Sequence, residues 1–300
     1  MAENGRRLLL VHAHPDDETI ATGGTIARYA AAPDTHVTLV TCTLGERGEV
    51  MVPELAGLAA EHADQLGGYR MGELAAARAA LGLSDQRFLG GVGRWRDSGM
   101  VVLAGGRAGA PPPGELHPRA FCAPGARAEQ VEALAKVMAE VRPQVVVGYD
   151  PSGGYGHPDH VRAHEITMAA TATAPSVRKV YWTVLPHGAL FDGLEGLAGA
   201  REHGLPWRPA EPEELASVPD SSVTTRVDVS AVLGAKLAAL RAHATQLGVW
   251  EHAGQRAFAL TNELAQPVLA TEYFTLVGAR VDAGRGSLDE TDLFEGVEPS

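Results

Sequence analysis

The sequence predicts an α/β fold, a mostly parallel sheet wrapped by helices, and three observations carry this. Two short apolar runs, Leu8-Leu9-Leu10-Val11 and Val145-Val146-Val147-Gly148, read as strands buried on both faces. Each leads into a polar, helix-starting block. Strand-like and helix-like stretches then alternate, as parallel βαβ units require. With 300 residues and 45% hydrophobic composition, the chain can bury one large core.

The elements follow in order. Residues 7–12 form the first strand. A helix runs from near Asp16 to about Ala31 and is closed by Pro33-Asp34. His36 to Thr43 alternates as a second strand, and Gly45-Glu46-Arg47-Gly48-Glu49 is a polar loop at its end. The Ala- and Leu-rich stretch 53–83 reads as helix, interrupted at Gly67-Gly68. Arg87-Phe88-Leu89 is a short third strand. Residues 90–126, rich in Gly, Pro and Arg, make a loop long enough to be functional. A helix over 127–142, a strand over 144–148, a helix after Pro158 and the strand Lys179–Val184 complete the alternation. Residues 186–222 read as irregular, marking an insertion or a change of lobe. Val223–Val229 is a strand, Ser230–Leu247 an amphipathic helix, Thr271–Val277 a strand, and the last 20 residues an acidic, peripheral tail.

Composition narrows the function. Twenty-five basic against 37 acidic residues leave a net charge of −12, which disfavours nucleic acid and anionic membrane as partners. Aromatics are only 5% of residues, too few for a base-stacking platform. Arg6 and Arg7 precede an apolar run too short for a signal peptide or a membrane span. Cys42 and Cys122 form no metal motif, and Cys42 sits in a strand as a buried thiol. The expectation is a reduced, cytoplasmic protein acting on a small-molecule substrate.

The chemistry lies in two blocks, His12-Ala13-His14-Pro15-Asp16-Asp17-Glu18 and Gly156-His157-Pro158-Asp159-His160, each just past a buried strand. In open α/β sheets, ligand sites lie beyond the carboxyl ends of the strands, so the blocks should meet on one rim. His14 and Asp17 are three apart and can face one point if a helix starts at Pro15, where the missing N–H is tolerated. His157 and His160 repeat the spacing. Three protein ligands leave a catalytic zinc with an open position, and His14, Asp17 and His160 are the expected set. Two imidazoles and a carboxylate also suit Fe(II). His12 is one position off the alternation and packs or braces a ligand.

Asp16 then stands beside the metal, free to take a proton from the attacking water. His157 can stabilise an oxyanion or protonate a leaving amine, with Asp159 orienting it and holding it protonated near neutral pH. Tyr155, on a glycine-flexed loop, can reach the same oxyanion. The reaction class is metal-assisted amide hydrolysis. Capping and the helix macrodipole would account for Asp16, Asp17 and Glu18 taken alone; the pairing of the two blocks favours a metal site. Thr22-Gly23-Gly24-Thr25 lacks the three-glycine dinucleotide fingerprint. His62, His117, His187 and His203 read as surface residues.

Ala13-His14-Pro15-Asp16-Asp17-Glu18 together with His157-Pro158-Asp159-His160 resembles the LmbE/PIG-L family of zinc-dependent N-deacetylases. Gly45–Glu49, Arg70–Leu74, Gly93–Met100, Tyr149–Pro151, Tyr181–Val184, Ala242–Gln246 and Glu290–Leu293 resemble its mycothiol branch, so the likeness covers nearly the whole chain. The resemblance implies a Rossmann-like sheet without a nucleotide plus a smaller C-terminal part. On that basis residues 1–185 form the catalytic domain and 186–300 complete the fold and the pocket wall. It implies one Zn2+ per subunit (Fe2+ in cells as an alternative) on His14, Asp17 and His160, and Asp16 as general base. It also implies His157, Asp159 and Tyr155 in catalysis, and Arg70, Asp97 and Glu49 toward the substrate. The implied reaction is removal of acetate from an N-acetylglucosaminyl-inositol. The alternatives are a mycothiol S-conjugate amidase and a non-catalytic sugar-binding metalloprotein; Asp16 and His157 would be superfluous in the latter.

Overall fold

The computed structural model describes residues 5–103, 108–279 and 289–298. Seven strands build the central sheet: β1 Arg6–His12, β2 Thr35–Thr41, β3 Asp85–Phe88, β4 Val145–Gly148, β5 Lys179–Val184, β6 Thr225–Asp228 and β7 Thr271–Ala279. Their order is β3-β2-β1-β4-β5-β7-β6. The first five are parallel, whereas β7 runs antiparallel to both its neighbours. The main helices are α1 Asp17–Ala30, α2 Leu66–Leu81, α3 Arg127–Val141, α4 Pro158–Thr173, α5 His187–Glu195 and α6 Leu233–Ala242.

The period-2 alternation of β1 divides the core. Leu8 and Leu10 pack with Ile26 of α1, Leu74 and Leu81 of α2 and Ala239 of α6. Leu9 and Val11 pack with Leu134 and Met138 of α3 and Ile166 of α4. All four β1 side chains are fully buried, each worth about 1.5–3 kcal/mol relative to exposure. Helices therefore cover both faces, as the continuous apolar runs predict. The chain leaves β1 toward β2 on one side and β4 toward β5 on the other. The carboxyl ends of β1 and β4 thus flank the topological switch point, where such sheets bind ligands.

Several local expectations are corrected. Residues 53–83 are not one helix broken at Gly67-Gly68. A 3-10 turn, Pro53–Leu58, precedes α2, and Gly67 lies in the first turn of α2. The loop before it packs so closely that a Cβ at Gly67 would lie 2.6 Å from Glu46 Cγ. The stretch 186–222 contains α5. The helix expected to reach Leu247 ends at Ala242, where His243 turns out of helical geometry (φ −86°, ψ 47°). Three short strands, Gly248–His252, Gln255–Ala259 and Leu264–Pro267, with Arg208–Pro209, form a small second sheet that the sequence reading did not contain.

The acidic tail is not peripheral where it is described; 281–288 and 299–300 lie outside the described residues. Glu290 accepts hydrogen bonds from Lys179 Nζ (2.7 Å), Tyr181 Oη (2.7 Å) and Thr225 Oγ1 (3.0 Å). Leu293, Phe294 and Val297 join the core that contains Leu8. The reason is Lys179, a buried cation on an interior strand that requires a counter-charge. Cys42 is a buried free thiol and Cys122 a half-buried one. No helix among the described residues is long and apolar enough to cross a membrane.

Candidate active site

The first block turns off the end of β1 at Asp16. This residue has φ 118°, a conformation costly for a side chain with a Cβ and characteristic of functional sites. Its carbonyl accepts from the Thr19 and Ile20 N–H groups (both 2.9 Å) and so starts α1. That leaves the Asp16 carboxylate free of capping and turned toward Arg70, whose Nη2 lies 3.0 Å from Oδ2. Arg70 is buried and also donates to the carbonyls of Pro15 and Gly45. Burial pushes the Asp16 carboxyl up to about 6, against the pull of Arg70.

His14, Asp17 and His160 come together. Asp17 Oδ2 lies 3.2 Å from His14 Nδ1 and 3.2 Å from His160 Nε2. Two donors about 2.0 Å from a tetrahedral zinc are about 3.3 Å apart, so this spacing fits shared coordination. The proton inventory points the same way. His160 Nδ1 faces the Gly153 carbonyl at 3.2 Å and donates to it, which turns the Nε2 lone pair inward. That Nε2 is buried and has no hydrogen-bond partner among the described residues. His14 Nε2 faces Asp159 Oδ2 at 3.3 Å, leaving the Nδ1 lone pair toward Asp17. Two imidazole nitrogens therefore face one carboxylate oxygen, an arrangement suited to a divalent cation once both rings are neutral.

The surrounding groups brace this cluster. Tyr149 donates to Asp17 Oδ2 (2.8 Å), accepts from Ala13 N–H (3.0 Å) and stacks on His160 with ring centroids 4.4 Å apart. His12 is buried between Tyr149 and Thr22. Gly153, at φ 63°, lets its carbonyl approach His160; a Cβ there would stand 2.7 Å from His160 Cβ. Despite burial, His160 and His14 hold Asp17 well below the usual carboxylate range. Burial also opposes charge on His14, but Asp97, Asp159 and Asp17 raise its pKa well above the ordinary value, so a cation there must displace a proton.

His157 lies against the same cluster, its ring centroid 4.6 Å from that of His14, and His14, His157 and His160 offer nitrogens within 4.8 Å of one another. Its Nδ1 accepts from the Asp159 N–H (3.1 Å) and caps α4, which places its proton on Nε2. Burial, then the neighbouring His14 and His160, push its pKa down to about 2. The expectation that Asp159 holds His157 protonated is therefore corrected: the Asp159 carboxylate faces His14 and accepts from Ser98 N–H (2.9 Å). Only its backbone serves His157.

Tyr155 extends over the imidazoles, its ring centroid 5.2 Å from that of His160 and 6.1 Å from that of His157. Its hydroxyl has no hydrogen-bond partner among the described residues. Asp97 is buried and accepts from Gly99 N–H (2.8 Å) and Arg47 N–H (3.1 Å), with Oδ1 3.6 Å from His14 Nε2. Glu49 is exposed, and its carbonyl is held by Gln246 (3.1 Å). Sequence reasoning assigned no role to Tyr149, Glu18, His243 or Ser98. Glu18 accepts the Asp16 N–H (3.0 Å) and faces His243 Nε2 (3.0 Å). A partner 225 residues away leaves no spacing signal; only the presence of a polar Glu18 in an apolar helix stripe pointed toward it.

The family model described as GlcNAc-PI de-N-acetylase matches residues 9–171. The chain is 56% identical over 296 residues to the 1D-myo-inositol 2-acetamido-2-deoxy-alpha-D-glucopyranoside deacetylase 1 of Saccharopolyspora erythraea, covering 97% of this chain and 94% of that one. It is 54% identical over 292 residues to the Actinosynnema mirum deacetylase of the same substrate name, covering 97% of each. Among solved structures, the 4-carboxy-2-hydroxymuconate hydratase of Pseudomonas putida aligns with TM-score 0.53 at 19% identity, covering 93% of this chain and 99% of that one. That likeness concerns the fold alone, so the reaction has to be argued from the site.

Proposed function

Since the chain belongs to the GlcNAc-PI de-N-acetylase (PIG-L) family, we propose that it hydrolyses the acetamide of an N-acetylglucosaminyl-inositol, releasing acetate and the free amine. The observation that carries this reading is the convergence of His14, Asp17 and His160 on one point, with the Asp16 carboxylate beside it. These three residues would hold one zinc ion, with Fe(II) the alternative. Held there, the ion would supply Lewis acidity to activate water and polarise the amide carbonyl.

The chain's own residues do the rest. Asp16, aimed by Arg70 and raised toward neutrality by burial, takes the proton of the attacking water and passes it to the departing nitrogen, so the proton count closes. Neutral His157 presents Nε2–H to the carbonyl oxygen as negative charge grows there, with the Tyr155 hydroxyl assisting. Asp159 keeps the His14 ring in the orientation that exposes Nδ1. Arg70, Asp97 and Glu49 would bind the sugar and inositol hydroxyls. Of these, Arg70 is also committed to Asp16, so its loss lowers turnover as well as binding. Two unpaired cysteines favour the cytoplasm.

The test is acetate release by zinc-loaded protein from N-acetylglucosaminyl-inositol, run beside a mycothiol S-conjugate. Faster turnover of the first supports the reading. Faster turnover of the second makes the chain an amidase on the same centre, and activity on neither refutes the substrate class.

A further inference from the structure

We propose that His243 is a positioning residue for the base: by fixing the Glu18 carboxylate it holds the Asp16 backbone in the conformation that aims the Asp16 carboxylate. The inference rests on Asp16 being the base. A residue at φ 118° persists only where its surroundings over-determine it. Here the carbonyl side is held by Thr19 and Ile20 N–H groups. The amide side is held by one acceptor, Glu18 Oε2, at 3.0 Å. That acceptor must itself be fixed. Glu18 is fully buried, and its other oxygen receives Thr19 Oγ1 (2.7 Å) and faces His243 Nε2 (3.0 Å). Among the described residues no Lys or Arg reaches it.

His243 is built for this contact. It is fully buried, leaves helical geometry where α6 ends, and is locked by its own N–H to Leu240 (3.1 Å) and by its carbonyl, which accepts from Gln246 (2.9 Å) and Leu247 (3.1 Å). It lies beyond residues 9–171, the part matched by the family model, so the C-terminal part of the chain reaches back to set the geometry of the first block. Separating the two side chains would leave the Glu18 carboxylate buried without this contact.

The experiment compares His243→Leu, His243→Gln and Asp16→Asn in the zinc-loaded full chain, reading kcat, KM, metal content and hydrogen exchange at the Asp16 amide. His243→Leu is expected to lower kcat about 10–100-fold, the scale of a slightly misaimed catalytic group, with KM within about twofold and one metal retained. The Asp16 amide should exchange faster. His243→Gln, whose amide N–H still reaches Glu18, should recover kcat to within about fivefold of wild type. Wild-type kcat in His243→Leu, or a joint loss of kcat, KM and melting temperature without recovery in His243→Gln, overturns the inference. If His243→Leu does not fold, His243→Gln is compared with His243→Asn, whose shorter amide does not reach Glu18: lower kcat at unchanged KM in His243→Asn alone supports the inference, and equal kcat in the two refutes it. An active Asp16→Asn removes the base and this inference together. An inactive Asp16→Asn beside an active His243→Leu removes this inference alone.

Discussion

Replacing Tyr149 with Phe separates bracing of the metal site from packing, because the ring survives and only one oxygen is lost. That oxygen is buried and makes two short bonds, donating to Asp17 Oδ2 (2.8 Å) and accepting from Ala13 N–H (3.0 Å). The second bond sets the cost to the metal-free fold: a buried N–H without an acceptor costs about 1–3 kcal/mol. In a protein of this size that lowers the melting temperature by about 2–4 °C per kcal/mol or somewhat less. The first bond sets the cost to metal binding. Asp17 loses a donor that orients its coordinating oxygen, and removal of such outer partners typically weakens metal affinity about 10–100-fold. The two effects are read independently, by thermal denaturation in chelator and by competition for zinc against a fluorescent indicator. A variant that melts as predicted but binds zinc with wild-type affinity would refute the assignment of Asp17 as a ligand braced by Tyr149. Wild-type melting with weakened zinc binding would show that Ala13 N–H finds another acceptor.

Further predictions address other links. His160→Ala should lose stoichiometric metal, whereas His157→Ala should keep it and lower kcat by at least about 100-fold, the scale of one oxyanion donor; metal loss in His157→Ala would make His157 a ligand. Glu290→Gln should destabilise by about 3–5 kcal/mol in urea titration, because Lys179 stays buried without its counter-charge; a loss under about 1 kcal/mol would refute the role given to the tail. Asp85 is held below the usual carboxylate value, burial being outweighed by Arg87, His36 and Thr38. A depressed pKa contributes stability above the unfolded value of about 3.9 that is lost as pH falls through the folded value. The stability gap between wild type and Asp85→Asn should therefore narrow from pH 6 to pH 3, and a constant gap would contradict it.

The parts of this protein legible in the sequence are those governed by local pattern. Leu8–Val11 and Val145–Gly148 have no polar face to show water, so buried parallel strands follow, and with them the place where the two histidine blocks meet. Pro158 and the His-Pro-Asp spacing mark the start of α4 and the side that carries His157 and His160. What stayed hidden depends on contacts remote in sequence. The close approach at Gly67 answers to a loop side chain at Glu46, and His243 at the end of α6 meets Glu18, neither visible in a window around the helix. Asp159 sits two residues from His157 yet serves His14, because helix geometry sends its carboxylate one way and its N–H the other. Acidic residues near the end of the chain resemble a solvated tail until Lys179 is seen to be buried.

The split origin of the cluster also governs when it can exist. Asp17 and His160 are separated by 143 positions (160 minus 17), which at about 5–20 residues per second takes roughly 7–29 s to synthesise. For most of that interval β4, the neighbour that brings the second histidine block, has yet to be made, and the parallel partner already synthesised for β1 is β2. A nascent chain can therefore offer only a weak chelating pair, and tight capture of an ion must wait for the central pairing of the sheet. Ion loading thus becomes a report on completed folding, and a strand-pairing error at β1 would leave the chain without metal as well as misfolded.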